Sequence, residues 1–245
     1  DTVINVRGST DSPMLIIDSP KHRSSPRENV LHYPMPTATS LTDSPWCAVA
    51  PTLRSGRVWD WVKALRFDPG EPNSDSALEA MALDALERRR DGTSPPLVFE
   101  TALGGERAPD WNPHATGLIT GLVHSHTLGD IALAALEGVS RRLNACMGLM
   151  EERYERRVSD LLLVGGPARN ALWNRLTRAI TGKRTFATTF ADASVLGAAL
   201  IGYAARFDGL EGDEAVSARL REVSDLARKH PLVSPFPIEP IDGNR

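Results

Sequence analysis

An aliphatic run followed by two glycines is the feature that most constrains the fold of this chain. Residues 161–164 are all Leu or Val, Gly165 and Gly166 follow them, and an amphipathic stretch begins after Asn170. This pattern is typical of a strand that turns sharply into a helix. Glycines also let a flat ligand approach the main chain closely. Asn170 either caps the helix or offers its amide to a ligand, and the residues alone leave both roles open.

Strand-type and helix-type segments alternate along the rest of the chain. Strands are predicted at residues 2–7, 14–17, 46–50, 97–99, 161–164 and 184–187, with a short one near 30–33. Helices are predicted at residues 57–66, around 78–90, around 132–150, at 171–181 and at 193–206. This alternation indicates an α/β structure. In the helix at 57–66, the residues expected to face the core are Val58, Trp61, Val62 and Leu65.

The composition is that of an ordinary globular protein. The chain has 245 residues, of which 41% are apolar and 24% charged, and its net charge is −3. The charge gives no electrostatic case for binding nucleic acid or an anionic membrane, and no apolar run reaches the roughly 18 residues that span a bilayer. Two distant cysteines, Cys47 and Cys146, indicate no disulfide framework and favour a reduced, cytoplasmic setting. The first residue, Asp1, suggests a fragment or a processed chain.

Three further segments, taken together with the Gly165–Gly166 turn, resemble motifs of the FGGY carbohydrate kinases. Residues 117–138 resemble the second signature of that family: GLITGL at 117–122 is followed by seven residues and then by DIALAALEG at 130–138. Residues 103–109 (LGGERAP) resemble a loop that precedes it, and residues 192–199 (DASVLGAA) resemble a helix start. The motifs occur in the family's order. The resemblance covers residues 1–206 and concerns the C-terminal of the family's two lobes.

The resemblance implies a fold and an activity. The fold would be the actin-like (ribonuclease-H-like) ATPase lobe, a mixed sheet flanked by helices. Residues 1–206 would form the nucleotide-binding domain, with irregular segments within residues 1–100. Residues 207–245 would be a tail with a helix near 213–229 and a Pro-rich end. The activity would be transfer of the ATP γ-phosphoryl group, with Mg²⁺, to a carbohydrate hydroxyl. The residues at 105–112 favour gluconate-like or pentulose-like members.

The expected partners are a nucleotide, a carbohydrate and the N-terminal kinase lobe. Assembly of copies of this chain into a homo-oligomer is a further expectation. In this family the catalytic Asp lies before the position of Asp1, so this chain alone is expected to be inactive. The alternative is a truncated, non-catalytic module that only binds nucleotide.

The resemblance also implies nucleotide contacts at two turns and one helix start. Gly8, Ser9 and Thr10 match the family's phosphate-binding turn, although their composition alone favours a hairpin turn. Asp11 departs from the family pattern, because a carboxylate beside a phosphate is unfavourable. Gly165, Gly166 and Asn170 match the adenosine-binding turn, and Gly197 matches the helix start beside the nucleotide, where packing is an equally good reading.

Other charged or metal-ligating groups are given structural roles. His124 and His126 lack a third ligand, so no metal site is predicted. Glu106 and Arg107 are expected to form an ion pair that fixes their loop. The basic run at residues 88–90 is expected to be a solvated helix end, favoured by the helix dipole.

Overall fold

A computed structural model describes most of the chain. The described residues are 1–19, 29–35, 45–188, 192–205 and 235–241, together with residues 218, 221, 222 and 225. Most of the predicted tail lies outside them, including all but these last four residues of the helix predicted near 213–229.

The described residues form strands, helices and one short 3-10 turn at Gly166–Arg169. The strands are β1 (Thr2–Arg7), β2 (Asp11–Ile17), β3 (Leu31–Pro34), β4 (Trp46–Val49), β5 (Val98–Glu100), β6 (Leu118–Thr120), β7 (Asp160–Val164), β8 (Arg184–Ala187) and β9 (Phe236–Pro237). The helices are α1 (Gly56–Lys63), α2 (Ser74–Arg90), α3 (Leu128–Tyr154), α4 (Ala171–Thr181) and α5 (Ala193–Ala205). Strands β6 and β9 were not predicted, while each of the other elements matches a predicted one with small shifts at its ends.

Seven strands form one mixed sheet in the order β3-β4-β2-β1-β7-β8-β9. Strands β1 and β7 are parallel, as are β7 and β8, and the remaining neighbours are antiparallel. In the β1–β7 pair, Val3 lies beside Leu161 and Val6 beside Val164. This pairing joins segments that are more than 150 residues apart in sequence. Strands β5 and β6 form a separate two-stranded sheet.

The first core lies between one face of the large sheet and α3. Side chains alternate along β1, so that Val3 is fully buried while Ile4 is 36% exposed. The buried face packs against the apolar stripe of α3, which includes Leu143, Met147 and Met150. Among the described residues, no helix is long and apolar enough to cross a membrane.

A second core is formed where α1, α2 and α4 pack around the first half of α3. It includes Val58, Leu78, Leu136 and Trp173. The basic end of α2 belongs to this contact. Arg88 pairs with Asp130 of α3 at 2.8 Å, and Arg89 pairs with Glu137 at 2.7 Å. The prediction of a solvated helix end was therefore wrong for these two arginines, because α3 brings carboxylates to them.

The predicted inner face of α1 was also partly wrong. Trp61 is 38% exposed and Leu65 lies beyond the helix and is exposed, whereas Trp59 is only 7% exposed. Val58 and Val62 are buried as predicted. The helix is therefore rotated relative to the prediction, and this rotation turns Trp59 toward the site described next.

Candidate functional site

The parallel pairing of β1 and β7 places two predicted turns side by side. The carboxyl ends of parallel neighbours lie at the same edge of a sheet, so the turn after Arg7 meets the turn after Val164. Gly165 has φ +106°, and a Cβ built on it would approach the Arg7 carbonyl oxygen far more closely than real Cβ atoms do. The sequence needs glycine here both for the backbone conformation and for the contact between strands.

The start of α1 closes onto the same edge. The backbone N–H groups of Ser55 and Gly56 donate to the carbonyl oxygens of Ser9 and Gly8, each at 2.9 Å. A Cβ on Gly56 would lie 2.5 Å from the Gly8 oxygen and 3.4 Å from Cγ of Pro167. Glycine at position 56 therefore lets the hairpin turn, α1 and the 3-10 turn converge on one point.

A cavity of about 620 Å³ opens at this convergence. Its lining residues come from the β1–β2 turn (Gly8, Ser9), α1 (Gly56, Trp59, Asp60, Lys63), α2 (Asp75, Ser76, Glu79) and the turn that leads into α4 (Gly166, Pro167, Arg169, Asn170, Trp173). Of the predicted nucleotide contacts, the structure thus brings together Gly8, Ser9, Gly166 and Asn170. Thr10, Gly165 and Gly197 do not line the cavity.

Asn170 caps α4. Its Oδ1 accepts a hydrogen bond from the backbone N–H of Trp173 at 2.7 Å, and its extended backbone is that of an N-cap residue. The backbone N–H of Leu172, one residue before Trp173, donates to Glu79 of α2 at 3.1 Å. The capping role left open by the sequence is therefore shown, and the ligand contact of Asn170 stays a prediction.

Charged residues of α1 and α2 form one wall of the cavity. Asp75 accepts from the Trp59 indole at 2.8 Å and from Lys63 Nζ at 2.9 Å. Burial opposes the charged form of Asp75, but the hydrogen bonds from Lys63 and Trp59 outweigh it and lower the pKa of the carboxyl. An exposed pair of this kind contributes only about 0.2–1 kcal/mol to stability. Its main effect is to neutralise Lys63 and to hold the Trp59 ring against the cavity.

Sequence reasoning missed this wall. Trp59 lay off the expected apolar stripe of α1, and charged residues at the start of a helix, such as Asp75, are usually solvated. The available signal was Trp59 itself, a second tryptophan two residues before Trp61. Because the two lie on different faces of a short helix, either one could be the buried residue.

Asp11 does not face the cavity. It is fully buried, its Oδ1 accepts a hydrogen bond from the Ser55 hydroxyl at 2.8 Å, and it lies 3.5 Å from Nε of Arg7. The turn between them therefore presents Gly8 and Ser9 to the cavity without a free carboxylate. The departure from the family pattern at Asp11 therefore adds no carboxylate to the cavity lining.

The cavity is large enough for a nucleotide-sized ligand. Its volume lies within the roughly 300–1,000 Å³ of small-molecule sites. A Cβ on Gly166 would meet nothing within 4 Å, so the main chain there is open to a ligand. The Ser9 hydroxyl and the turn backbone would hold phosphates, and Trp59 offers an aromatic edge. Mg²⁺ usually binds through one or two carboxylates together with substrate phosphates, and Asp60 is a lining carboxylate suited to that role.

The loop after β5 is held by a buried ion pair. Glu106 accepts from Arg142 of α3 at 2.6 Å, and Arg142 also pairs with Asp110 at 2.7 Å. Burial raises the pKa of Glu106 despite the attraction of Arg142. The prediction that Glu106 pairs with Arg107 was wrong, because Arg107 is exposed and α3 supplies the cation that pairs with Glu106.

His126 is structural rather than part of a metal site. Its Nδ1 accepts from the Val123 N–H at 3.0 Å, so its Nε2 donates to the Pro95 carbonyl at 2.9 Å. Both ring nitrogens are thus used within the loop. Among the described residues, no group of three or more His, Cys, Asp or Glu side chains is arranged to hold a metal ion.

A mixed sheet flanked by helices, with a hairpin turn and a glycine turn side by side at its edge, defines a lobe of the actin-like ATPase fold. Residues 10–206 match the model of the C-terminal domain of the FGGY family of carbohydrate kinases. The chain therefore belongs to this family.

Curated relatives and a solved structure agree with this assignment. The gluconokinase of Bacillus subtilis (strain 168) is 29% identical over 206 residues, which cover 80% of this chain and 40% of the relative. The xylulose kinase of Escherichia coli (strain K12) is 30% identical over 155 residues, 63% of this chain and 30% of the relative. The crystal structure of Plasmodium falciparum glycerol kinase with ADP has a TM-score of 0.68 at 15% identity, covering 98% of this chain and 43% of that one. This chain thus spans well under half the length of these proteins.

Proposed function

We propose that this chain is the nucleotide-binding lobe of an ATP-dependent sugar or sugar-acid kinase. Together with an N-terminal lobe it would transfer the ATP γ-phosphoryl group to a carbohydrate hydroxyl. The observation that carries the proposal is the cavity at which the Gly8–Ser9 turn meets the Gly166–Asn170 turn. The family resemblance predicted that both turns contact the nucleotide, and they come from segments more than 150 residues apart in sequence.

The roles within the cavity follow from its chemistry. Phosphates need hydrogen-bond donors, which the Ser9 hydroxyl and the turn backbone supply. Gly166 leaves room for the base or ribose beside the main chain, and Trp59 offers an apolar surface to a ring. Bound Mg²⁺ would neutralise the charge that develops on the phosphates. The ADP complex of the glycerol kinase neighbour supports a nucleotide as the ligand.

Catalysis would be shared between two lobes. We expect the general base to come from an aspartate of the N-terminal lobe. Closure of the lobes would exclude water and bring the sugar hydroxyl to the γ-phosphate. The names of the relatives and the loop at 105–112 favour gluconate or a pentulose as the acceptor. The free, buried cysteines suit a reducing cytoplasm.

Sugar-dependent release of ADP from ATP tests the proposal. The chain would be joined to an N-terminal lobe of the family and assayed with gluconate, xylulose and glycerol. Release of ADP that depends on one of these acceptors, and that disappears when Gly166 is changed to Val, supports the kinase. Binding of Mg-ADP without transfer to any acceptor would instead support the non-catalytic module.

A further inference from the structure

A buried ion pair brackets the hairpin turn of the candidate site. Arg7 ends β1 and Asp11 begins β2, and the two residues face each other in the register of the hairpin. Both side chains are fully buried, with Arg7 Nε 3.5 Å from Asp11 Oδ1. The three residues between them form the turn that presents Gly8 and Ser9 to the cavity.

The pair also reaches two of the three other segments that line the cavity. On one side, Asp11 accepts the Ser55 hydroxyl at 2.8 Å, immediately before α1. On the other, the Arg7 guanidinium donates to Thr177 Oγ1 at 3.1 Å and lies 4.3 Å from the ring centre of Trp173, both in α4. Trp173 itself lines the cavity. One pair of charges therefore contacts the hairpin, the start of α1 and the first turns of α4.

The pair is a poor device for stability. Within the described part of the chain, neither Arg7 Nε nor Asp11 Oδ2 has a hydrogen-bond partner, so part of the cost of burying two charges is not offset. Buried ion pairs can often be replaced by well-packed apolar side chains of similar volume without loss of stability. A cost that stability does not explain suggests another reason for keeping both charges.

We propose that Arg7 and Asp11 are positioning residues, which hold the Gly8–Thr10 turn in register with α1 and α4 so that the two sides of the nucleotide cavity act as one rigid site. This inference rests on the proposed function. The pair also accounts for the departure at Asp11, because its charge has a partner at Arg7, four residues earlier. Without the pair, β1 and β2 would still form the hairpin, but the distance between its turn and α4 would no longer be fixed.

The test compares nucleotide affinity with stability in matched variants. The double variant Arg7→Met/Asp11→Asn removes both charges and keeps an acceptor for Ser55. The control, Met150→Ala, opens a cavity in the sheet–α3 core, away from the site. Each protein is titrated with Mg-ADP by calorimetry, well below its unfolding temperature, and its thermal unfolding is recorded.

We expect the double variant to unfold near the wild-type temperature but to bind Mg-ADP about tenfold more weakly, a change of about 1.4 kcal/mol. Met150→Ala is expected to unfold earlier and to bind as the wild type does. The proposal would be overturned if the double variant bound Mg-ADP with wild-type affinity. It would also be overturned if Met150→Ala lost as much affinity as the double variant.

A milder variant covers the case in which the double variant does not fold. Thr177→Val removes one partner of Arg7 in α4 and lies outside the cavity lining. It should weaken Mg-ADP binding about threefold, a change of about 0.65 kcal/mol, and unchanged binding would count against the pair. A folded wild type that binds no Mg-ADP even with an N-terminal lobe added would refute the proposed function itself. A wild type that binds while the variants bind equally well would refute only the role of Arg7 and Asp11.

Discussion

Replacing Gly165 with Ala should be among the most damaging single-methyl changes in the chain. The residue has φ +106°, which L side chains rarely adopt, and its Cβ would overlap the Arg7 carbonyl oxygen in the middle strand of the sheet. Backbone strain of this kind costs about 1–3 kcal/mol. Overpacking against a neighbour that cannot move costs about 1–3 kcal/mol more.

The two contributions together predict a loss of about 2–6 kcal/mol in the free energy of unfolding. For a domain of 150–250 residues, each kcal/mol shifts the melting temperature by about 2–4 °C, so a decrease of about 4–24 °C is expected. Thermal unfolding followed by far-UV circular dichroism measures it. The neighbouring change, Gly166→Ala, is the control, because its Cβ would meet nothing within 4 Å. It should change stability by no more than about 1 kcal/mol in either direction.

A Gly165→Ala variant that melts within a degree of the wild type would refute this reasoning. It would mean that β1 and β7 are not paired as described or that the backbone at Gly165 is not in the positive-φ region. The adjacency of the two turns depends on that pairing, so the candidate site would be in question as well.

Three further predictions concern other parts of the chain. Burial alone would raise the pKa of Asp130, but hydrogen bonds from Arg88, Thr127 and Ser94 hold this pKa well below its usual value. Asp130 therefore stabilises the fold above a pH of about 4, and this contribution is lost as the pH falls further. Asp130→Asn should therefore cost about 1.5–3 kcal/mol in urea unfolding at pH 7 and progressively less in acid, whereas a gap that stays constant with pH would contradict the pairing. Asn170→Ala should cost about 1 kcal/mol through loss of the α4 cap, while Asn170→Ser, which keeps an acceptor, should cost only a small part of this. Burial raises the pKa of Cys146 to about 12, so a thiol reagent at pH 8 should modify it only as fast as the protein unfolds, and fast modification of folded protein would show that α3 is not packed as described.

Local patterns were enough to predict most of the secondary structure. Residues 161–182 are the clearest case, because an aliphatic run, two glycines, an N-cap asparagine and a C-cap glycine all indicate the same strand, turn and helix. Gly182 indeed ends α4 in the left-handed conformation. Such signals act over a few residues and do not depend on what the element packs against.

The contacts between distant segments were not predictable in this way. The sequence favoured Gly8 and Gly166 as parts of one site only through a family resemblance, since their adjacency depends on the β1–β7 pairing. The partner of Glu106 lies 36 residues away on α3, and nothing near Glu106 distinguishes Arg142 from the adjacent Arg107. The inner face of α1 was decided by packing against α2 and α3, which its own periodicity does not contain.

The most direct test of the central claim is a calorimetric titration of the chain with Mg-ADP, repeated on Gly166→Val and Gly148→Val. Both glycines have open space where a side chain would be built, but only Gly166 lines the cavity. The account predicts that the wild type and Gly148→Val bind alike, and that Gly166→Val binds at least about tenfold more weakly while melting near the wild type. Equal binding by Gly166→Val, or no binding by the folded chain even with an N-terminal lobe added, would contradict a nucleotide site at this cavity.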